Sequence, residues 1–154
     1  MTPPLKDPLE EVPGEVLVLF HFQDVPVPKH SLGKVDWYLS GAVSRVSVDG
    51  RFTGALDTAA LFHPSGKFQV EKILVLGLGP RAEVNLPVLQ AAASSLRSRV
   101  DDLRVRDIRI ALPQLERISS EEAMGLFSAT LRKPGEKFRD PPTFTFLTEN
   151  TDTA

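Results

Sequence analysis

The chain has no cysteine. Disulfides, thiolate nucleophiles and Cys-ligated zinc are thereby excluded, and the composition fits a reducing compartment. Histidine is scarce: His21, His30 and His63 are all there are, and none stands in His-Glu-x-x-His or another metal-ligand spacing. Carboxylates are scattered, with no compact pair suited to acid–base work. No serine lies in a Gly-x-Ser-x-Gly elbow. Neither a catalytic group, a metal site nor a cofactor is therefore expected. A basic excess is missing too: the net charge is −2 and the isoelectric point about 5.9, so no nucleic acid is expected as a partner. No apolar run approaches the roughly 20 residues that span a bilayer, so no membrane is expected either. The opening Met-Thr-Pro-Pro-Leu-Lys-Asp-Pro has no apolar core of a signal peptide. The expected location is the cytoplasm.

What is present is an ordinary globular composition, 42% hydrophobic and 25% charged over 154 residues, enough for one domain and one core. Residues 1–14 carry Pro3, Pro4, Pro8 and Pro13 and read as an irregular N-terminal arm. Residues 15–148 read as a single domain, and residues 149–154 as a polar tail. Within the domain, 15–22 is a strand whose uniform apolarity predicts burial on both faces. Leu32, Val35, Leu39, Ala42, Val43 and Val46 recur at helical spacing and predict one helix over 31–46. A strand follows over 55–62. The His63-Pro64-Ser65-Gly66 turn makes it an antiparallel neighbour of the next strand, which starts at Phe68 or Lys72 and runs to Gly79. Asn85 is an N-cap for a long helix to Leu103. Its inner stripe is Leu86, Leu89, Ala92, Ala93, Leu96, Val100 and Leu103, and its wet face includes Arg97 and Asp101. A strand over 107–112 is halted by Pro113. Ser119 and Glu122 form a capping box opening a helix to Leu131, and 143–148 alternates Thr and Phe as a last, edge strand. The order predicts an α/β fold, helices covering a mixed sheet.

Two places invite a functional reading. In Ile73-Leu74-Val75-Leu76-Gly77-Leu78-Gly79-Pro80-Arg81 a buried strand ends in a glycine turn before a helix. Gly77, Leu78, Gly79, Arg81 and Asn85 are its candidate ligand-binding residues, because amides at such a turn can hold an anion. The turn lacks the third glycine of a dinucleotide loop and the Gly-Lys-Ser/Thr of a P-loop. Its structural reading is a strand end where glycine permits close approach. The second place is Trp37 with Tyr38, beside the apolar stripe of the first helix. They are either core-edge aromatics or a contact surface. His21 interrupts an apolar strand and reads as a hydrogen-bonded sheet residue. Arg97, Arg99, Arg104, Arg106 and Arg109 alternate with Asp101, Asp102 and Asp107 and read as a solvated helix end with ion pairs.

Three segments together resemble the N-terminal, non-catalytic domain of the leucyl aminopeptidase family, the M17 metallopeptidases. They are the opening strand over 15–22, the stretch from Leu39-Ser40-Gly41-Ala42-Val43 to Gly50-Arg51-Phe52-Thr53-Gly54, and the strand end and Ala-rich helix over 72–100. The likeness covers about 16–147. It implies a macro-domain-like three-layer α/β/α sandwich. It also implies that the family's two metal ions and catalytic groups belong to a separate, larger domain. The catalytic lysine and carboxylate ligands of that domain have no positions here to map onto. Asn150-Thr151-Asp152-Thr153-Ala154 begins like the family's Asn-Thr-Asp-Ala-Glu-Gly-Arg-Leu segment but lacks its Glu-Gly-Arg.

The expected function is a non-catalytic structural or regulatory interaction module, with a homo-oligomer or a separate peptidase-like chain as partner. One alternative is a binder of a small anionic ligand, nucleotide or ADP-ribose-like, at the turn of Gly77 to Arg81. A further alternative is an accessory chain of an aminopeptidase.

Overall fold

A computed structural model describes residues 9–25, 28, 30–135 and 140–148. The elements are β1 (Val16–Phe22), α1 (His30–Tyr38), α2 (Ala42–Val48), β2 (Ala59–Phe62), β3 (Lys72–Gly79), α3 (Leu86–Leu103), β4 (Asp107–Leu112), α4 (Ser120–Leu131) and β5 (Thr143–Thr148). Short 3-10 turns occupy Leu9–Glu11 and Arg81–Glu83. The sheet order is β2-β3-β1-β4-β5. β2 runs antiparallel to β3, and every other pairing is parallel.

The apolar run of β1 follows from its central position. Successive side chains of a strand point to opposite faces. Val16, Val18 and Phe20 enter one core with α3 and α4, while Leu17 and Leu19 enter a second with α1 and α2. β3 divides in the same way: Leu74, Leu76 and Leu78 face the first core, Ile73 and Val75 the second. The result is a three-layer α/β/α sandwich with a mixed sheet: the element pattern predicts helices over a mixed sheet, and the family resemblance implies the three layers. Phe127, fully buried on α4, meets Phe20 edge to face at 5.5 Å and joins the outer layer to β1.

Local signals place the helices over the sheet. The Asn85 side chain accepts from the Val88 amide at 3.0 Å and starts α3. Both halves of the Ser119–Glu122 capping box form at α4. The single helix expected over 31–46 is instead two. Ser40 and Gly41 adopt left-handed angles, φ 57° and 81°, and the Gly41 amide closes α1 on the Asp36 carbonyl at 2.8 Å. The Asp36 carboxylate then accepts from the Ser44 amide at 2.9 Å and from the Ser44 hydroxyl. Leu32, Val35 and Val43 still reach one core, so apolar spacing carried no sign of the break. The strand expected over 55–62 is also shorter, because residues 54–58 bend in against the end of β3.

Of the stretch read as an arm, Leu9 and Val12 are buried in the second core. Glu10 accepts from the Tyr38 hydroxyl at 3.3 Å and pairs with Lys34 at 2.9 Å; that bond to Lys34 holds its carboxyl below the usual range. Residues 1–8 and the tail 149–154 lie outside the described residues.

Candidate functional site

The parallel strands β1, β3 and β4 end at one rim of the sheet. β1 lies between β3 and β4, so the chain leaves it for one side and later crosses to the other. Ligands of open α/β sheets settle in the crevice at such a switch point. Here the rim is lined by Phe20, His21 and Phe22 from β1, Arg81 after β3, and Pro113 and Gln114 after β4, with Val25, His30 and Leu32 closing it. The cavity holds about 70 Å³, far below the roughly 300 Å³ at which sites for drug-sized ligands begin.

The glycine turn stands beside this crevice with its amides already engaged. The Gly77 amide donates to Thr58 and the Gly79 amide to Gly54, each at 2.9 Å, and the Gly79 carbonyl accepts from Gln23. The Arg81 amide donates to Asp24 Oδ1 at 2.9 Å. Leu78 is buried in the first core, and the Asn85 side chain is spent on its cap. Arg81 alone of the five turns a polar side chain to the crevice. Its guanidinium lies 5.4 Å from the Phe22 ring centre and its Nε 3.8 Å from Glu116 Oε1. Gly79 has the left-handed φ of 76°. At Gly77 the constraint is instead a close approach: an added Cβ would lie 2.0 Å from the Ala55 carbonyl oxygen.

His21 differs from its expectation. It is buried, yet among the described residues Nε2 has no hydrogen-bond partner; Gly54, whose absent Cβ would come within 2.9 Å of Cδ2, backs the ring. The only signal for it was a histidine at the end of an apolar strand. Gln114, which also lines the crevice, and Asp24, which holds the Arg81 amide, had none, since their loops meet only in the folded sheet. Burial depresses the His21 pKa, the Asp36 charge opposing it. The native ring therefore stays neutral at pH values where the unfolded chain's histidine takes up a proton. Stability is then complete above about pH 6.5 and falls as pH drops below it, by at most about 1.4 kcal/mol per pH unit for one proton. Denaturant unfolding at a series of pH values should show this slope, and His21→Asn should flatten it. A variant as acid-sensitive as wild type would remove His21 from the explanation.

Trp37 and Tyr38 separate. Trp37 is 78% exposed; Tyr38 is half-buried, edge-on to Phe68 at 5.6 Å and to Trp37 at 5.4 Å. The indole thus stands outermost on a chain of rings rooted in the second core. A further correction concerns α3. Arg97 and Asp101, placed by periodicity on the wet face, are 6% and 4% exposed and paired at 2.5 Å. The Arg97 Nε also donates to the Lys133 carbonyl at 3.1 Å. With Thr130 and Gly135 they line a cavity of about 220 Å³ between α3 and the end of α4. Among the described residues no group of three His, Asp or Glu could hold a metal ion. No helix among them is long and apolar enough to cross a membrane.

Comparison with known proteins follows the same lines. The family model described as "Cytosol aminopeptidase family, N-terminal domain" matches residues 14–135. A probable cytosol aminopeptidase from Nitratidesulfovibrio vulgaris is 30% identical over 112 residues, 71% of this chain and 21% of that protein. Another from Cyanothece sp. is 27% identical over 100 residues, 65% of this chain and 20% of that protein. The chain thus matches about a fifth of the length of these curated relatives. Among solved structures, a tomato leucine aminopeptidase variant superposes with a TM-score of 0.62 at 16% identity, over 89% of this chain and 29% of that one. The macrodomain of Mycobacterium tuberculosis DarG gives 0.69 at 14% identity, over 96% and 97% of the two chains.

Proposed function

Since the chain belongs to the cytosol aminopeptidase family, whose N-terminal domain it matches over residues 14–135, we propose that it is a non-catalytic interaction module. Its partner is a separate peptidase-like chain of the same family, in the cytoplasm. The observation that carries the reading is Trp37. It is the one tryptophan of the chain and 78% exposed, edge-on to Tyr38, which itself rests on Phe68. A large aromatic presented at low entropic cost is what the centre of a protein interface uses. The relatives' remaining length, about four-fifths, is the natural source of a surface to receive it. The rival anion site at the glycine turn is weakened by its own hydrogen bonds, since Gly77, Gly79 and Arg81 have given their amides to the protein.

The single tryptophan also makes the test direct. Alone, the chain should emit like indole in water and be readily quenched by iodide. Titration with the catalytic chain of a cytosol aminopeptidase should shift emission to the blue and protect it from quenching. Trp37→Ala should weaken binding at least tenfold, in line with a central aromatic anchor worth roughly 2 kcal/mol, with unchanged circular dichroism. An emission spectrum that stays water-like at saturating partner would overturn the reading.

A second reading rests on Arg81 at the crevice and on His21 Nε2, which has no hydrogen-bond partner among the described residues: a small anion held there. Melting the protein against ADP-ribose, nucleotides and inorganic phosphate separates the two. A ligand at 100 times its dissociation constant adds about 2.7 kcal/mol to stability, a shift that a thermal melt resolves. The interaction reading expects none.

A further inference from the structure

The two edges of the sheet are treated differently. β2 has four residues and is followed at once by His63 and Pro64. A short edge strand stopped by proline is a common protection against pairing with another chain. β5 has six residues, Thr-Phe-Thr-Phe-Leu-Thr, with no charge, no proline and no bulge. Its register on β4 runs unbroken from Asp107↔Thr143 to Leu112↔Thr148. Its side chains hold it in place from both faces. Phe144 and Phe146 pack edge to face at 5.7 Å, with the Arg132 guanidinium 5.5 Å from the Phe144 ring centre. On the other face Thr145 Oγ1 accepts from Arg109 at 3.1 Å and Leu147 enters the second core.

Which backbone groups of β5 face outward follows from one bond. The Thr143 amide donates to the Arg106 carbonyl at 2.8 Å, so residue 143 points its N–H and C=O toward β4. In a parallel pair, residues of one strand alternate in this respect. Thr145 and Leu147 therefore also bond β4, while Phe144, Phe146 and Thr148 direct N–H and C=O away from the sheet. Among the described residues no bond from the outward amides of Phe144 or Phe146 to another element is seen.

We infer that β5 pairs antiparallel with β5 of a second copy of this chain, about a two-fold axis at Phe146. The outward set is symmetric about that residue. Thr148 of one protomer meets Phe144 of its partner, the two Phe146 residues meet each other, and Phe144 meets Thr148. No outward group is left over, and three such pairs supply about six main-chain hydrogen bonds. The occupant is a second copy because this edge is its own complement in length and register. The strand also has no charge to repel its copy, whereas like charges directly opposite destabilise a pair. A closed two-fold is the commonest symmetry of homo-oligomers. The surface lies on an edge strand and makes no use of Trp37, so it stands or falls separately from the docking role.

Sedimentation of the 154-residue chain over a wide concentration range should show a monomer–dimer equilibrium. Hydrogen exchange should slow at Phe144 and Phe146 as concentration rises, while the inward amides of Thr145 and Leu147 stay protected throughout. Thr148→Pro removes an outward donor at both ends of the paired segment without removing a bond to β4, and should raise the dissociation constant at least tenfold. Thr148→Val and Trp37→Ala should sediment as wild type. A chain monomeric at every concentration, exchange at Phe144 and Phe146 that ignores concentration, or a Thr148→Pro dimer as tight as wild type would each overturn the inference.

Discussion

Gly77→Ala is expected to destabilise the protein by about 3 kcal/mol or more, at the upper end of what overpacking costs, and Gly77→Val by no less. The first added carbon does the harm. It would lie 2.0 Å from the Ala55 carbonyl oxygen and 2.6 Å from the Gly54 carbonyl carbon and oxygen. These are backbone atoms, with no rotamer to yield. The segment they belong to is tied to β3 at two points, Gly77 N–H to Thr58 and Gly79 N–H to Gly54. Relief would break one or both bonds and pull residues 54–58 from the sheet end. Against a total stability of 5–15 kcal/mol typical of domains the loss is large. Gly125→Ala supplies the opposite sign. Gly125 lies inside α4 with nothing within 4 Å of an added Cβ, so alanine should stabilise by up to about 1 kcal/mol. Denaturant midpoints of the two variants should move in opposite directions. A Gly77→Ala protein as stable as wild type would show that residues 54–58 do not close on β3 as described.

The second large effect is expected at the buried pair of α3. Asp101→Leu leaves the Arg97 guanidinium under Gly135 and the Lys133 carbonyl with its carboxylate gone. Breaking a buried ion pair from one side costs about 3–5 kcal/mol, whereas replacing both partners by apolar groups is often neutral or better. Arg97→Met with Asp101→Leu should therefore recover most of what Asp101→Leu loses. The difference between the summed single variants and the double variant measures the coupling. Purely additive losses would mean that the pair is solvated and that Gly135 does not cover it. The geometry argues otherwise: a Cβ at Gly135 would fall 1.9 Å from Asp101 Oδ2.

These two sites also mark where reading the sequence stops. Periodicity located β1, β3, α3, β4, α4 and β5 closely because each of those signals is local. Uniform apolarity in β1 meant two covered faces; Asn85 and the Ser119–Glu122 box meant helix starts whose side chains reach only three residues. The same locality misled at Arg97 and Asp101. Their spacing on α3 sets them to the side of Leu89 and Leu96, in the row that continues from Ala93, and burial there depends on residues 133–135, which arrive from α4. It failed again at Ser40 and Gly41, where helical spacing runs through a break made by their left-handed angles.

The candidate site divides in the same way. The glycines of the 77–81 turn, the single exposed tryptophan position and the alternating Thr-Phe strand are all visible as residues. What their backbone and side chains face is not. Gly77 is glycine because a loop from residues 54–55 passes against it, a contact between segments over twenty positions apart. The amides of Gly77 and Gly79 are occupied because the loop before β2 folds back onto β3, and that of Arg81 because Asp24 reaches it from just after β1. By itself the sequence determined which segments are strands and helices and which faces are apolar, since those follow from neighbours within a few residues. The tertiary structure decided which polar groups are buried, which amides are already engaged and which sheet edge has no further strand beside it among the described residues. Those depend on contacts that only the closed sheet brings within a few ångströms.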